Sequence, residues 1–413
     1  MKVTVKRIIR NVVWGILGEA NFFYLFRVAN RLCRNYTHKF INYSQANFIE
    51  LRIPGKDVFF GYYDLDSLNN ECDKLLTMVV DQKQSTAEVG YFDLTTNDYI
   101  KIADSEAWNW QMGSRLRWFE NNKSVMFNTF ENRNLISVIC GLDGKVIRKF
   151  PNAFYDVDID HGNAYFTDFF ILNEQRPGYG YSNGIVRLQD IYDEDANGVY
   201  SYDMRTNNKK QLYSIRELRR IRPQDSFNGC YHYVNHISVC RYDGKFMFFH
   251  IWSGIKANDW NCRMVVSTKN GEVINVIDDF EIISHYCWKN ERQILVTIRK
   301  NNSYEYRLYD IYSAKYQVVG KESLVKDGHP SFVNEDLILS DTYPNKLSMQ
   351  KLFLFGEDRT KVVCEIFSAP NLVGERRCDL HPRFKNGFVN FDSNIYGHRC
   401  QYLVNLTPLL KGE

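Results

Sequence analysis

At 413 residues, with 27 Tyr, 28 Phe and 7 Trp, the chain exceeds one ordinary hydrophobic core and is rich in residues that favour pleated strands. A net charge of +3 excludes a whole-molecule field for nucleic acid, and ten scattered cysteines without CxxC pairs exclude a zinc ribbon or a disulfide scaffold. No stretch reaches the roughly 20 apolar residues of a spanning helix.

Residues 1–45 differ from all that follows. Lys2, Lys6, Arg7, Arg10, Arg27, Arg31, Arg34 and Lys39 oppose only Glu19, while Val5, Ile8, Ile9, Val12, Val13, Ile16 and Leu17 recur at helical spacing. The pattern predicts a basic amphipathic α-helical extension. Two readings fit it equally: a helix on an anionic membrane surface, and a helix packed against the rest of the protein. The apolar run VVWGILGEA is short and broken by Glu19, which argues against a cleaved signal peptide. The expected location is the cytoplasm, peripheral on the inner face of the membrane if the helix binds lipid.

From residue 46 the pattern is β throughout. FFGYYDLD (59–66), LLTMVVD (75–81) and VGYFDL (89–94) form a first unit. A second spans 108–150 and a third opens at NAFYDVDIDHGNAYFTDF (152–169). Four later phrases repeat one another: NHISVCRYDGKFMFFH (235–250), SHYCWKNERQILVTI (284–298), GHPSFVNEDLILSDT (328–342) and LHPRFKNGFVNFDS (380–393). Each is a short alternating segment, a polar turn and an apolar run, which reads as a β-hairpin. Their histidines, His236, His285, His329 and His381, are spaced by 49, 44 and 52 residues, a period of propeller blades. Aligning the turns places the same column at Leu65, Arg115 and Phe154 in the first three units. The expected fold is therefore an all-β, seven-bladed β-propeller over 46–413, with six or eight blades also compatible with the spacing. A loop insertion near 171–198, rich in Gly, Asn and Asp, is expected to overhang the channel mouth as a lid. The strand in 401–410 is expected to pair with Phe48–Ile53 and close the ring.

The innermost strands of a propeller line one channel, so the four histidines converge there with the residues two positions on, Ser238, Cys287, Ser331 and Arg383. Nine histidines occur in the chain, and four of them share one slot. Such a ring can hold a divalent ion, Mn or Zn, or move a proton at neutral pH, with Arg115 facing it. A repeated intra-blade hydrogen bond is the structural alternative. Asp156, Asp158 and Asp160 read as alternate acids of a strand facing solvent rather than as a calcium site.

The phrases NHISV…FMFFHIW, SHYCW, DGHPSF…DTYP and DLHPRF resemble the β-propeller oligogalacturonate lyases and their TolB-like relatives over about residues 230–395, and more weakly over WNWQMGSRLRW. The resemblance implies His250 as a base and His285 and His329 as manganese ligands. The family's other ligands, a histidine and a glutamine, have no clean counterpart: Asp327 and Ser331 stand there, so His381 or His236 is left to complete the set. The implied activity is β-elimination on an acidic oligosaccharide or polysaccharide, which requires charge neutralisation at the C6 carboxylate, a base and an acid. His250, His236 and Arg115 are the catalytic candidates; Arg383, Trp110, Gln111, Trp252 and Tyr63 are the candidates for sugar contacts. The basic extension is foreign to the lyase pattern. It supports a second reading, a non-catalytic glycan-binding or scaffold propeller in cell-surface or capsule polysaccharide synthesis, beside a third, a protein-interaction propeller.

Overall fold

The computed structural model describes residues 40–81, 85–181, 193–254, 260–277, 282–300, 303–320, 326–357 and 359–411. Nearly all of the basic extension, and 182–192 of the insertion, lie outside that set. No helix of the described residues is long and apolar enough to cross a membrane.

Seven antiparallel sheets follow one another around a ring, in the architecture of a seven-bladed propeller. Blade one spans residues 57–105, blade two 117–150, blade three 156–214, blade four 231–277, blade five 282–319, blade six 331–367 and blade seven 383–405. Blade seven takes its outermost strand, Phe48–Leu51, from the other end of the chain, in the register Phe48↔Val404 to Leu51↔Gln401. The expected closure of the ring is therefore present. Phe40–Asn42 adds a fifth strand to blade six against Cys364–Ile366, so this part of the 1–45 segment belongs to the propeller. Both additions cover sheet edges that would otherwise be open for pairing.

The turns follow their sequences. Asn386 and Gly387 take φ of 49° and 86°, the doubly left-handed pair that a two-residue hairpin needs, where the sequence reads KNG. Strand Phe246–Ser253 is buried along all but its last residue, because both faces of a blade are covered by neighbouring blades. Two-sided burial replaces the half-buried surface that its aromatic run suggested.

The insertion begins as a helix, α1 (Phe169–Gln175), capped by Asp168, whose carboxylate accepts from the backbone of Phe170 and Ile171. Phe169 to Leu172 are buried, and Tyr181 stacks on Phe169 at 4.5 Å. This described part is packed rather than lid-like. A second helix, α2 (Ile215–Arg220), follows blade three and carries a Ser214–Glu217 capping box.

Candidate functional site

β-Bulges aim the histidines. The pairing of 231–239 with 246–253 slips between Asn235 and Ser238, and that of 282–288 with 293–300 slips between Ile283 and His285. At the first slip His236 itself lies in the unpaired interval; at the second the extra residue is Ser284, and His285 resumes the ladder opposite Thr297 with its face set by the shift. Arg115, His236 and His381 share a left-handed backbone, φ 54°, 54° and 46°, so the alignment of Arg115 with the histidine column corresponds to a common local geometry. In blade one the residues that reach the histidines are Tyr62 and Tyr63, not Leu65.

The rings of His285 and His329 lie 4.1 Å apart, and those of His329 and His381 4.4 Å. Tyr62 stacks on His236 at 5.2 Å and meets His381 edge-on at 4.9 Å, so it joins the fourth histidine to the other three. One carboxylate organises two blades: Asp341 contacts His329 Nδ1 at 2.8 and 3.0 Å and accepts from the backbone N–H groups of His329 and His381. His381 Nδ1 donates to the Gly61 carbonyl at 2.9 Å, which leaves its Nε2 as the lone-pair nitrogen. His285 Nδ1 meets Asp327 Oδ1 at 2.9 Å, and Asp327 also accepts from Ser284 Oγ at 2.6 Å.

These environments set the charge states. Burial pushes the His236 and His381 imidazoles well below their ordinary value. Burial lowers His285 as well, outweighing the pull of Asp327. At His329 burial is the largest single influence and acts downward, but Asp341, with Asp379 and Asp327, together outweighs it, and the imidazole is raised. Burial works against the Asp327 carboxylate, yet the His285 ring beside it holds it below its ordinary value. Asp327 is thus the acceptor and His285 Nε2 carries the lone pair.

Among the described residues His329, Asp379 and His381 form one group whose donor atoms lie within 4.8 Å of one another. His381 Nε2 and Asp379 Oδ1 are both buried without a hydrogen-bond partner. Buried polar atoms are nearly always paired, so two orphans converging with a third nitrogen fit a divalent ion held by two imidazoles and a carboxylate. Each of the three is oriented from behind, His329 by Asp341, His381 by Gly61 and Asp379 by Arg377 Nε at 2.9 Å, as the partners of a metal ligand would be.

Beside this group lies a cavity of about 120 Å³, lined by Tyr62, His236, His285, Asp327, Tyr343 and others, with Arg176 and Arg377 at its wall. Arg377 Nη2 reaches the Tyr179 hydroxyl at 3.3 Å, and the Arg176 guanidinium lies over the rings of Tyr179 and Trp260 at 5.0 and 4.6 Å. Arg176 and Tyr179 come from the described start of the insertion and line this cavity.

No family model matches the chain, and no curated protein matches it in sequence. Solved structures do. The chain is similar to an oligogalacturonate lyase in complex with manganese, at a TM-score of 0.64 and 13% identity over 90% of this chain and 96% of that one. It is similar also to the oligogalacturonate lyase of Vibrio parahaemolyticus, at a TM-score of 0.62 and 13% identity, covering 89% and 96%. The fold is that of the oligogalacturonate lyases. At this identity the likeness is one of fold, and the side chains must carry the rest.

Against that lyase fold, the sequence candidates divide. His285, His329, His381, His236 and Tyr63 meet at the centre; Tyr63 lies on the floor, its hydroxyl donating to the Tyr286 carbonyl at 2.7 Å. His250 does not join them. It faces away from Phe249, which touches His236, and its Nε2 meets His232 Nδ1 at 2.9 Å. Trp252 packs in the same lateral cluster against Phe227. Arg115 is buried in a bidentate pair with Asp64, at 2.8 and 3.1 Å, and Arg383 is buried against Asp392 at 2.8 Å. A guanidinium taken from water needs a carboxylate, so neither is a free cation at the histidines. Gln111 holds the backbone of Glu375 and Arg377 at 3.2 and 2.9 Å, and the guanidinium groups of Arg376 and Arg399 lie over the Trp110 ring at 5.3 and 4.9 Å. Both brace the segment that presents Arg377. Asp156 and Asp158 face inward, not to solvent, paired with Arg117 at 2.6 Å and His161 at 2.8 Å.

Sequence reasoning placed Asp341 in the polar slot at the end of a second strand and Tyr62 among the tyrosines able to stack on a sugar, but missed Asp379, Arg176 and Arg377. Asp379 had a signal: it stands two residues before His381, as Asp327 stands two before His329, and such pairs share a strand face.

Proposed function

We propose that the protein is a uronate-type polysaccharide or oligosaccharide lyase that breaks a glycosidic bond by β-elimination. The observation that carries this reading is the meeting, in one lyase-type fold, of an Asp-oriented neutral imidazole and two converging buried donors that lack partners. His329, Asp379 and His381 hold the divalent ion, manganese or zinc. When bound, the ion supplies positive charge to a uronate carboxylate.

The chain's own residues supply the rest. Arg176 and Arg377 bind acidic groups of the substrate in the cavity. His285, with Asp327 fixing its tautomer, accepts the C5 proton on Nε2. The C5–H electrons form the C4–C5 double bond as the C4–O bond breaks. Tyr62 has a buried hydroxyl without a partner and donates a hydrogen bond to the leaving oxygen, whose proton comes finally from water. Tyr179 and Tyr343 restrict solvent at the mouth. His285, rather than His250, is the base in this reading, because only His285 lines the cavity.

The test is incubation of purified protein, with added manganese, on a panel of de-esterified polyuronides and their oligosaccharides. The expected result is growing ultraviolet absorbance from unsaturated uronate ends, lost in His285→Ala. Binding of the panel without any unsaturated product would overturn the catalytic reading and leave a glycan-binding propeller.

A further inference from the structure

Two parts of the proposed site meet in the backbone at Gly61. Its carbonyl accepts from His381 Nδ1 at 2.9 Å, and the next residue is Tyr62, whose ring touches His236, His329 and His381 and whose hydroxyl is buried without a partner. A shift of this corner displaces both groups. On one side it is set by sterics: Gly61 has φ 128°, and a Cβ there would lie 2.9 Å from the backbone of Met112 and Gly113. On the other side a charged pair holds it.

Arg383 and Asp392 are 3% and 0% exposed and lie on strands 383–385 and 388–393 of blade seven, bonded to each other at 2.8 Å. Asp392 accepts from the N–H of Phe60 at 3.2 Å and of Gly61 at 3.5 Å, while Arg383 Nη1 donates to the Gly61 carbonyl at 3.1 Å. The N–H and the carbonyl of one residue are thus both gripped, which fixes its φ and ψ. Joining two blades does not by itself require charge. In blade two the single amide of Asn128 holds both the N–H and the carbonyl of Phe154, at 3.0 and 2.9 Å. A buried ion pair is a costly way to make the same join, because two charges leave water. What the guanidinium fork adds is a second donor on the carbonyl that orients His381.

We propose that the Arg383–Asp392 pair is a positioning unit for the proposed reaction, holding the Gly61–Tyr62 corner so that the Tyr62 hydroxyl and the free Nε2 of His381 keep one fixed relation. The role of Tyr62 rests on the lyase reading and that of His381 on the ion site. Neither Arg383 nor Asp392 lines the cavity, so both act through Gly61.

Removal of one partner strands a buried charge, so the test exchanges both, as Arg383→Met with Asp392→Asn. This variant keeps an acceptor for the Phe60 N–H, and Asn390 Oδ1, which loses Arg383 Nε, still accepts from Ser67 Oγ and Gln401 Nε2. A folded chain is expected by circular dichroism. Its manganese affinity, from calorimetric titration without substrate, should fall about 10- to 100-fold, and kcat on the polyuronide panel by a similar factor with KM nearly unchanged. The same exchange at the buried Arg117–Asp156 pair, where Arg117 holds the Tyr155 carbonyl, should alter neither. Arg383→Lys keeps the charge without the fork, so its losses should be smaller, and it carries the test if the double variant fails to fold.

Unchanged manganese affinity and kcat in the folded variant overturn the inference, as do equal losses at the two pairs or a change confined to KM. If the parent binds manganese but turns over no polyuronide, the lyase reading falls, and the affinity loss alone decides the positioning of His381. If the parent turns over polyuronide without manganese, kcat decides the positioning of Tyr62. A parent that does neither overturns both claims.

Discussion

Two groups of buried histidines differ in a way that assigns their roles. The lateral pair, His232 and His250, belongs to a closed chain of hydrogen bonds. His232 Nε2 donates to the Phe227 carbonyl at 3.2 Å, His250 Nε2 donates to His232 Nδ1 at 2.9 Å, and Arg263 Nε donates to His250 Nδ1 at 3.2 Å. Arg263 then donates to the carbonyls of Arg222 and Leu218. Each ring nitrogen has one partner, both tautomers follow, and the chain ties the segment after blade three to blade four. The central four do not close in this manner. His381 Nε2 has no partner, Asp379 Oδ1 beside it has none, and His236 and His381 sit on left-handed backbone. Satisfied polar groups build a structure; unsatisfied, strained ones persist where a ligand completes them.

The largest expected effect lies in the central group. His285→Ala should lower turnover on the polyuronide panel by about 10²- to 10⁴-fold, the usual contribution of a positioned base, while circular dichroism stays native. An active variant would erase the division between the two groups. Next comes Asp379→Ala, which removes the one carboxylate of the proposed ion site. Metal analysis after dialysis should show retention reduced by a factor on the order of 100, while the same measurement on His250→Ala is unchanged. Equal loss in both would show that the ion, if bound, sits elsewhere.

The third effect falls on stability. His250→Ala leaves Arg263 Nε and His232 Nδ1 without partners and opens space beside Phe227 and Trp252. A cost of about 2–4 kcal/mol in denaturant unfolding is expected, with turnover nearly unchanged at temperatures where the variant is folded. Loss of turnover in a folded His250→Ala protein would restore this residue as the base that the family resemblance implied.

Much of the fold was legible because its signals are local. Polar turns between apolar runs marked the hairpins of blades four to seven, and a leftover strand at each end of the chain marked the closure. The site was legible only as a column, since period and register belong to the sequence while the exit from register does not. The slips at 235–238 and 283–285 decide where His236 and His285 aim, and no residue type announces a bulge. His250 illustrates the opposite failure. Strict alternation puts it on the other face from Phe249, so the strand period alone argued against a central role. Arg115 and Arg383 looked free because their carboxylates, Asp64 and Asp392, lie 51 and 9 residues away in sequence and meet them only in the folded ring.

The smallest expected effect is also the most local. Burial is the largest influence on both lateral rings: it lowers His232 from the ordinary imidazole value to about 4 and puts His250 well below that value. The charged groups facing the pair are Arg263, Arg219 and Glu194, two cations against one acid, which adds to the same direction. A folded-state value below the unfolded one means that the unfolded chain binds protons first. Stability is therefore complete above about pH 6.5 and declines as the pH falls from there toward 4. Protonation also places a second proton on a nitrogen that must accept, either from His250 or from Arg263, so the chain of donors breaks at that link. Amide exchange in 218–230 should accelerate over this window, before exchange in the strands of blade one, which contain no histidine. A His232→Gln variant should exchange faster at pH 7 than the parent but show a flatter response to acid. Uniform acceleration across all seven blades would assign the acid sensitivity to the central histidines instead and remove the lateral pair as a distinct unit.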